Sequence, residues 1–400
     1  MTLRLLLILG GLSAFGPLAI DLYLPAFPAI AQFFATDSEH VQLSLSAYFI
    51  GLALGQLFYG PLADRFGRRK PLLFGIGLFT LASIGCALAP TLEWLIIARF
   101  AQALGGCAGM VVNRAVVRDI CTPIEAARAF SQLMLVMGVA PILAPLAGGW
   151  LMLFGGWQLI FAFLAVFAGV FGFLVFFRLP ETLPQHIPPS RLSSALGRYG
   201  RLLREPQFMF HALTGGIAMA GMFAYIAGSP FVFIELYDVP VQHYGWFFGM
   251  NSAGFVLSAQ FNSRLLRRRT PLKLLKITTL LFMGSTLALS AVALFEPPVL
   301  WPLLVPLFMC MALLALVLPN SSACALAGHG HQAGVASALM GTLQFTIAGI
   351  VSALVGALHN GTALPMTGMI SVCGVAAATM ALLARRATPA EVAVGGAVKK

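Results

Sequence analysis

Long apolar stretches alternate with short polar loops along almost the whole chain. A helix needs about 20 mostly apolar residues to cross a bilayer, and these stretches have that length. The pattern therefore predicts an all-α integral membrane protein with twelve spanning helices. The spans are predicted at residues 5–30, 42–62, 71–89, 92–114, 127–153, 158–178, 207–233, 242–263, 271–294, 299–324, 334–356 and 363–384. No small-residue cleavage site follows the first span, which is therefore expected to remain as a helix.

Charge separates the loops into two sets. Every Lys and Arg except Arg99 lies in or beside loops of one side, and the loops of the other side contain neither. Basic loops face the cytoplasm, so both termini are predicted to be cytoplasmic. We call the end with the 60–70 loop the basic end and the end with Asp37 and Glu39 the acidic end. The acidic residues of the acidic-end loops are Asp37, Glu39, Glu93, Glu235, Asp238 and Glu296.

The longest predicted loop divides the spans into two sets of six. We predict a first half over residues 1–178, a cytoplasmic linker over 179–206, and a second half with a short cytoplasmic tail over 207–400. Residues 48–70 align weakly with 247–269, which is typical of transporters built from two related halves.

The second part of the linker has an amphipathic pattern. One helical face carries Leu192, Leu196, Tyr199 and Leu203, and the arginines lie elsewhere. This predicts a helix on the inner leaflet of the membrane, and a disordered basic linker is the alternative.

Composition agrees with a membrane protein and argues against other classes. The 400 residues are 59% hydrophobic and 9% charged, with a mean hydropathy of +0.91, whereas soluble domains have about 25% charged residues. The net charge of +11 is spread over many loops, so no nucleic-acid partner is predicted. The six cysteines form no Cys-x-x-Cys pair, so neither disulfides nor a metal site are predicted. No nucleotide-binding loop or hydrolase motif is found, so we expect neither a nucleotide-driven pump nor an enzyme, and no cofactor.

The 60–70 loop has five charges in eleven residues. A generic basic loop explains its Arg and Lys residues but not the fixed spacing of its glycines and aspartate. Arg118 and Asp119, predicted at the same end, are candidates to form an ion-pair cluster with Asp64, Arg65 and Arg69 that closes an inner gate. Ordinary basic-end charge is the alternative for Arg118 and Asp119. The candidate gate residues of the loop are Gly60, Asp64, Arg65, Gly67, Arg68 and Arg69.

Asp21 and Arg99 are the ionisable residues predicted clearly inside spans, where such residues usually have a function. Asp21 shares a helical face with Pro17, Pro25 and Pro28, which interrupt the backbone hydrogen bonds of the first span. A carboxyl in an apolar cavity can take up and release a proton near neutral pH. Asp21 is therefore the candidate proton carrier, and a structural aspartate is the alternative.

Arg99 shares a face of the fourth span with Gln102, two glycines and Asn113. Two hypotheses stay open. In the first, Arg99 modulates the proton affinity of Asp21 or pairs with it in one conformation. In the second, Arg99 only holds the fourth span against its neighbours.

Further candidates lie in other spans. A Gly/Pro stripe in the fifth span predicts close packing. Aromatic residues and two amides are candidates for an apolar substrate cavity. His211, His329, His331 and His359 lie near predicted span ends and are interpreted as interfacial. The stripe consists of Gly138, Pro141, Pro145, Gly148 and Gly149. The cavity candidates are Tyr23, Phe27, Gln102, Asn113, Phe223, Tyr225 and Phe231.

Several of these motifs resemble a known family. The 60–70 loop resembles the signature loop of the major facilitator superfamily, and the stripe resembles the fifth-helix signature of its drug antiporters. The segments 20–28, 54–64, 117–120, 220–223 and 261–264 are most similar to the bicyclomycin-resistance (Bcr/CflA) group. The resemblance implies a bacterial inner-membrane protein that exports small, fairly apolar drugs in exchange for protons.

We therefore predict a drug:proton antiporter that works by alternating access and is a monomer. A metabolite exporter or a proton-coupled importer on the same fold is the alternative, because fold alone does not fix direction.

Overall fold

The computed structural model describes residues 3–183, 192–329 and 332–384, and these form an all-helical protein. A 3₁₀ turn at Leu24–Ala26 joins α1 to α2, and a π-helical segment at Phe231–Leu236 continues α8. His331 and the tail 385–400 lie outside the described residues. The α-helices are α1 (Leu3–Asp21), α2 (Phe27–Phe33), α3 (Ser38–Phe66), α4 (Arg69–Ala87), α5 (Leu92–Ile120), α6 (Pro123–Arg178), α7 (Leu192–Leu203), α8 (Pro206–Pro230), α9 (Val241–Leu265), α10 (Pro271–Leu294), α11 (Trp301–Leu326), α12 (Ala333–Ala357) and α13 (Leu364–Leu383).

The predicted twelve-span architecture is confirmed. Within the described ranges, ten helical stretches are long and apolar enough to cross a membrane. One of them belongs to α6, where non-helical Gly155 and Gly156 separate two crossings. The remaining crossing is α9, which has 25 residues but a more polar sequence.

Several helices extend past their predicted spans. α3 begins and ends outside the predicted 42–62, and α5 continues to Ile120 rather than 114. Arg114 and Arg118 therefore lie on a helix and not in a loop. Hydropathy marks only the part of a helix that lies in lipid, whereas the helix itself continues as long as its backbone hydrogen bonds are made.

The first span is broken directly after Asp21. α1 ends at this residue, and α2 begins only after the 3₁₀ turn. Pro25 and Pro28 cannot donate backbone hydrogen bonds, which explains why the helix is interrupted here. Pro17 stays inside α1. The predicted continuous face that joined Asp21 to Pro25 and Pro28 is therefore wrong, since both prolines lie beyond the break.

Helices α1–α6 pack on one another, as do α8–α13, and two helix pairs join these sets: α3 with α12 and α6 with α9. In the first pair, the Thr342 hydroxyl donates to the Ala53 carbonyl over 3.1 Å. In the second, a Cβ at Gly245 would lie 2.7 Å from the Leu146 backbone nitrogen. The interface between the halves is thus closely packed along both helix pairs.

The linker contains the predicted helix, α7, but its apolar face packs on protein. Tyr199 and Leu202 are buried in a cluster with Phe208 and Leu339 of the second half. Leu203, predicted to face the leaflet, is 47% exposed on another side of the helix. The predicted leaflet-facing surface is therefore wrong for Tyr199. The side chains of Leu192 and Leu196 lie outside the described part.

Candidate transport site

Asp21 lies at the break in the first span with only 4% of its surface exposed. Among the described residues, none forms a hydrogen bond or an ion pair with its carboxyl. It lies near the phenols of Tyr48 in α3, Tyr225 in α8 and Tyr244 in α9. Because Tyr225 and Tyr244 belong to the second half, Asp21 lies where the two halves meet.

On the side of the second half, Tyr225, Tyr244 and Phe248 form an aromatic wall next to Asp21. The Asn251 side chain donates to the Tyr225 hydroxyl over 3.2 Å, and the hydroxyls of Ser229 and Tyr244 are 2.7 Å apart. The Tyr225 ring stacks on Phe248 with centroids 5.4 Å apart. These contacts fix both phenols, so their hydroxyls have defined positions opposite Asp21.

The predicted Gly/Pro stripe of α6 packs against the same break. A Cβ at Gly148 would lie 2.1 Å from the Leu22 carbonyl oxygen, so a side chain here would push the break away. A Cβ at Gly149 would lie 3.0 Å from the carbonyl oxygen of Val241 in the second half. The stripe is therefore a packing seam that holds Asp21 between the halves. The other stripe residues, which lie on the same helix, are Gly138, Pro141 and Pro145.

Arg99 is completely buried in α5 and is enclosed by aromatic rings. Its guanidinium carbon lies 4.6 Å from the Tyr23 ring centre and 4.3 Å from that of Tyr48. Nη1 donates to the Ala19 carbonyl over 2.9 Å and to the Gln102 side chain over 2.7 Å. Its Nε and Nη2 have no hydrogen-bond partner in the described part of the chain. Cation–π contacts and a carbonyl of the first span therefore hold this charge, with no carboxylate beside it.

Arg99 and Asp21 are not joined in an ion pair in this conformation. Arg99 contacts the first span through Ala19 and Tyr23, on either side of Asp21 in sequence. Both residues lie near Tyr48. The Tyr48 hydroxyl itself has no hydrogen-bond partner among the described residues. Sequence analysis missed Tyr48, although a tyrosine in the middle of an apolar span was a usable signal.

Three of the predicted cavity residues brace the first half instead of lining an open cavity. Tyr23 and Gln102 surround Arg99, and the Gln102 amide also donates to Ser83 in α4 over 2.8 Å. Asn113 donates to the Leu9 carbonyl over 2.7 Å, which ties α5 to α1.

The other predicted cavity residues lie between the halves. Phe223 packs on Phe49 of the first half, with ring centres 4.3 Å apart. Tyr225 belongs to the aromatic wall opposite Asp21. Phe27 and Phe231 line a small cavity of about 20 Å³ near the acidic end. This is about the space that a single water needs, so the halves are tightly closed there.

At the basic end, an ion-pair cluster forms around Arg68. Arg68 Nη1 lies 2.6 Å from the Asp64 carboxylate, and its Nε lies 2.8 Å from that of Asp119. Burial alone would lower the pKa of Arg68, but its hydrogen bonds to Asp119 and Asp64 raise it above the ordinary value. The predicted cluster is therefore centred on Arg68, and neither Arg65 nor Arg118 takes part in its ion pairs. All three members belong to the first half, so in this conformation the cluster joins α3, α4 and α5 and does not cross between the halves.

Glu181, which sequence analysis did not single out, caps this loop. Its carboxylate accepts the backbone N–H groups of Arg68 over 2.7 Å and Arg69 over 3.2 Å, at the start of α4. Partial burial would raise the pKa of Glu181, but these bonds and those from its own following residues lower it below its ordinary value of 4.5. Gly67 has φ +87°, and a Cβ there would lie 2.3 Å from this carboxylate. By contrast, a Cβ at Gly60 would contact nothing within 4 Å.

The predicted gate arginines have different surroundings. Arg69 donates to the Phe176 carbonyl, and its guanidinium lies over the Phe176 ring. Arg65 lies over the ring of its neighbour Phe66. Arg118 is exposed near the end of α5.

Two of the histidines interpreted as interfacial are paired with carboxylates just after the ends of α11 and α12. His329 Nε2 lies 2.9 Å from Glu205, and His359 Nε2 lies 3.4 Å from Glu39. His211 is buried, at 6% exposure. These partners are far apart in sequence, which is why no local pattern revealed them.

The fold and site define a class of protein: a multi-pass membrane transporter with two six-helix halves and a buried carboxyl between them. The chain belongs to the Major Facilitator Superfamily, and the model of that family matches residues 8–353.

Relatives agree with the predicted resemblance to the drug-exporter branch. The chain is 39% identical to the uncharacterized MFS-type transporter YdgK of Bacillus subtilis, over 93% of each chain. It is 30% identical to multidrug resistance protein D of Escherichia coli, over 92% of this chain and 91% of that protein. It is 29% identical to a bicyclomycin resistance protein homolog of Haemophilus influenzae, over 93% and 94%.

Solved structures confirm the fold. A bacterial homolog of the human lysosomal transporter Spinster, in an inward-facing and unoccupied conformation, has a TM-score of 0.73 at 17% identity, over 95% of this chain and 96% of that chain. A D-xylose-proton symporter has a TM-score of 0.71 at 16% identity, over 94% and 96%. At these identities the likeness concerns the fold alone.

Proposed function

We propose that this protein is a proton-coupled exporter of small, fairly apolar drugs in a bacterial inner membrane. The observation that carries the proposal is the position of Asp21, an unpaired carboxyl with 4% exposure at the meeting point of the halves. Relatives named for multidrug and bicyclomycin resistance support the substrate class.

The charge state of Asp21 links proton binding to conformation. An unpaired carboxylate is costly to bury, so the packed arrangement around Asp21 favours its protonated form. When the halves separate, water reaches the carboxyl and the proton can leave. A drug that occupies the space opposite Tyr225 and Tyr244 competes with the packed, protonated arrangement. Proton and drug are thereby bound in turn, as antiport requires.

We propose that the basic end is cytoplasmic, with both termini inside, because it holds nearly all Lys and Arg residues. The acidic end, where the halves meet around Phe27 and Phe231, then faces outward and is closed in this conformation. Protons enter from that side during each cycle. Each proton that moves inward releases about 2.3 kcal/mol per 100 mV of membrane potential, so the transporter needs no nucleotide or resident cofactor. We propose that a single chain is the working unit, since each chain contains both halves.

Arg99 has a positioning role in this proposal. Its guanidinium holds the first span through the Ala19 carbonyl and the Tyr23 ring, one on each side of Asp21. It also packs on the ring of Tyr48, which lies near Asp21. Arg99 therefore modulates Asp21 through the intervening residues, without a direct ion pair in this conformation.

Direction and substrate are tested by uptake of radiolabelled or fluorescent antibiotics into intact cells that overexpress the protein. Export predicts lower cellular drug than in cells expressing Asp21→Asn, and dissipation of the proton gradient removes the difference. The exposed aspartate Asp238, changed to asparagine, is a matched control and should export normally. Higher cellular drug in the wild type would instead indicate import. If no drug is moved, a metabolite exporter on the same fold becomes the better interpretation.

A further inference from the structure

A histidine–carboxylate pair crosses between the halves at the acidic end. Glu39 lies in the first turn of α3, in the first half, and His359 follows α12 in the second. His359 Nε2 lies 3.4 Å from a Glu39 carboxylate oxygen, and both side chains are 27% exposed. The pair is thus accessible to protons from solution but shielded enough for its charge to matter.

The surroundings of this pair fix the geometry of the imidazole. The Phe231 ring meets the His359 ring edge-on, with centres 4.2 Å apart. A Cβ at Gly356 would lie 3.1 Å from the Glu39 carbonyl oxygen, so α12 approaches α3 closely at this point. The Ser38 hydroxyl, next to Glu39, donates to Glu235 of the π-helical segment and makes a second polar contact between the halves.

Other titratable groups near the His359–Glu39 pair lie at the start of α3 and in the π-helical segment. At the start of α3, side-chain N or O atoms of Asp37, Glu39 and His40 lie within 4.8 Å of one another. From the π-helical segment, Glu235 contacts Ser38. The first turn of α13, residues 364–367, contains no titratable side chain. His359 therefore faces mainly negative charge. His40 belongs to the same helix as Glu39, so its protonation cannot hold the halves together.

We propose that His359 and Glu39 form a second proton-binding site, which holds the acidic end closed when the imidazole is protonated. Histidine is the side chain whose charge ordinarily changes between pH 5 and 8. Protonated His359 attracts the Glu39 carboxylate across the interface, and neutral His359 does not. Acid on this side therefore favours closure, and alkali favours opening. If the acidic end faces outward, a high external proton concentration closes the outer gate after Asp21 has been loaded.

The test measures gate opening directly and uses no drug, so it holds or fails independently of the proposed transport activity. Spin labels are attached to cysteines at Gln32 of α2 and Pro298 of the α10–α11 loop, both exposed, in a protein whose native cysteines are replaced by alanine. Electron–electron distance measurements in nanodiscs then give the ratio of closed to open protein. An Asp21→Asn background excludes any response from the buried carboxyl.

Four proteins are compared between pH 8 and pH 5.5: the parent, His359→Gln, His359→Lys and the matched control His40→Gln. In the parent, the closed-to-open ratio should rise about two- to fivefold on acidification, as expected for a partly exposed ion pair. His359→Gln should stay at the alkaline ratio and His359→Lys, permanently charged, near the acidic ratio. His40→Gln should respond like the parent. A pH response that survives in His359→Gln, or that disappears in His40→Gln, would overturn the proposal, as would a parent without any response.

Discussion

Two glycines of the 60–70 loop predict opposite effects of the same substitution. Gly67 ends α3 with φ +87° and ψ 168°, a conformation that is essentially restricted to glycine. Its missing side chain leaves room for the Glu181 carboxylate, which would lie 2.3 Å from an added Cβ. Gly60 lies inside the same helix with no atom within 4 Å of an added Cβ. We therefore expect Gly67→Ala to destabilise the protein and Gly60→Ala to be tolerated.

The cost at Gly67 has two parts. Alanine in this backbone conformation costs about 1–3 kcal/mol. The Glu181 side chain is flexible and moves aside easily, but it then stops accepting the N–H groups of Arg68 and Arg69. Loss of a helix cap costs about 1 kcal/mol. Gly67→Ala should therefore lower the free energy of unfolding by about 2–4 kcal/mol. Gly60→Ala should raise it by about 0.5–1 kcal/mol, since alanine favours the helix interior.

A double-mutant cycle with Glu181→Ala separates the two parts. Unfolding is followed by tryptophan fluorescence in mixed micelles of increasing SDS fraction. Without the Glu181 carboxylate, Gly67→Ala should cost only the backbone strain, so the coupling free energy should be about 1 kcal/mol. If Gly67→Ala lowered the free energy of unfolding no more than Gly60→Ala does, the conformational argument would be refuted. Equal costs of Gly67→Ala with and without Glu181 would refute the role of Glu181 as the cap.

Three further predictions concern the charged residues. The Asp119 side chain is 6% exposed and that of Asp64 is 45% exposed. In the same assay, Asp119→Asn should therefore lower the free energy of unfolding by about 3 kcal/mol, and Asp64→Asn by about 0.5 kcal/mol. Equal losses of stability would contradict the buried position of Asp119. Because the pKa of Glu181 lies below its ordinary 4.5, its stabilisation is present above that pH and lost as the pH falls through the lowered value. Wild type should therefore lose more stability than Glu181→Gln below pH 4.5, and parallel curves would contradict this. Arg99→Lys should retain more drug transport than Arg99→Gln in vesicles, whereas equal activity would exclude a role for the charge.

The number and order of the helices were predictable because hydropathy and loop charge repeat along the whole chain. Charge also indicated a cluster at the basic end. It did not identify Arg68 as the central residue, because helical register at a loop depends on where each helix ends. Gly67 was predicted as part of a motif, but its reason, the carboxylate of Glu181, lies more than a hundred residues away.

Contacts between the halves could not be predicted from the sequence. The burial of Asp21 and Arg99 followed from their place in apolar spans, but the direction of each side chain did not. Arg99 points into an aromatic cage of its own half, and Asp21 lies towards Tyr225 of the other. The helical face of α7 was misjudged for the same reason, since an apolar face that packs on protein has the same pattern as one that packs on lipid.

The central claim is that Asp21 carries the proton that is exchanged for drug. It is tested most directly in everted membrane vesicles with an energised pH gradient, challenged with a panel of antibiotics. Wild type and the control Asp238→Asn should both release protons on addition of a transported drug, and Asp21→Asn should not. Drug-induced proton release that persists in Asp21→Asn would contradict the claim and assign the proton to another residue.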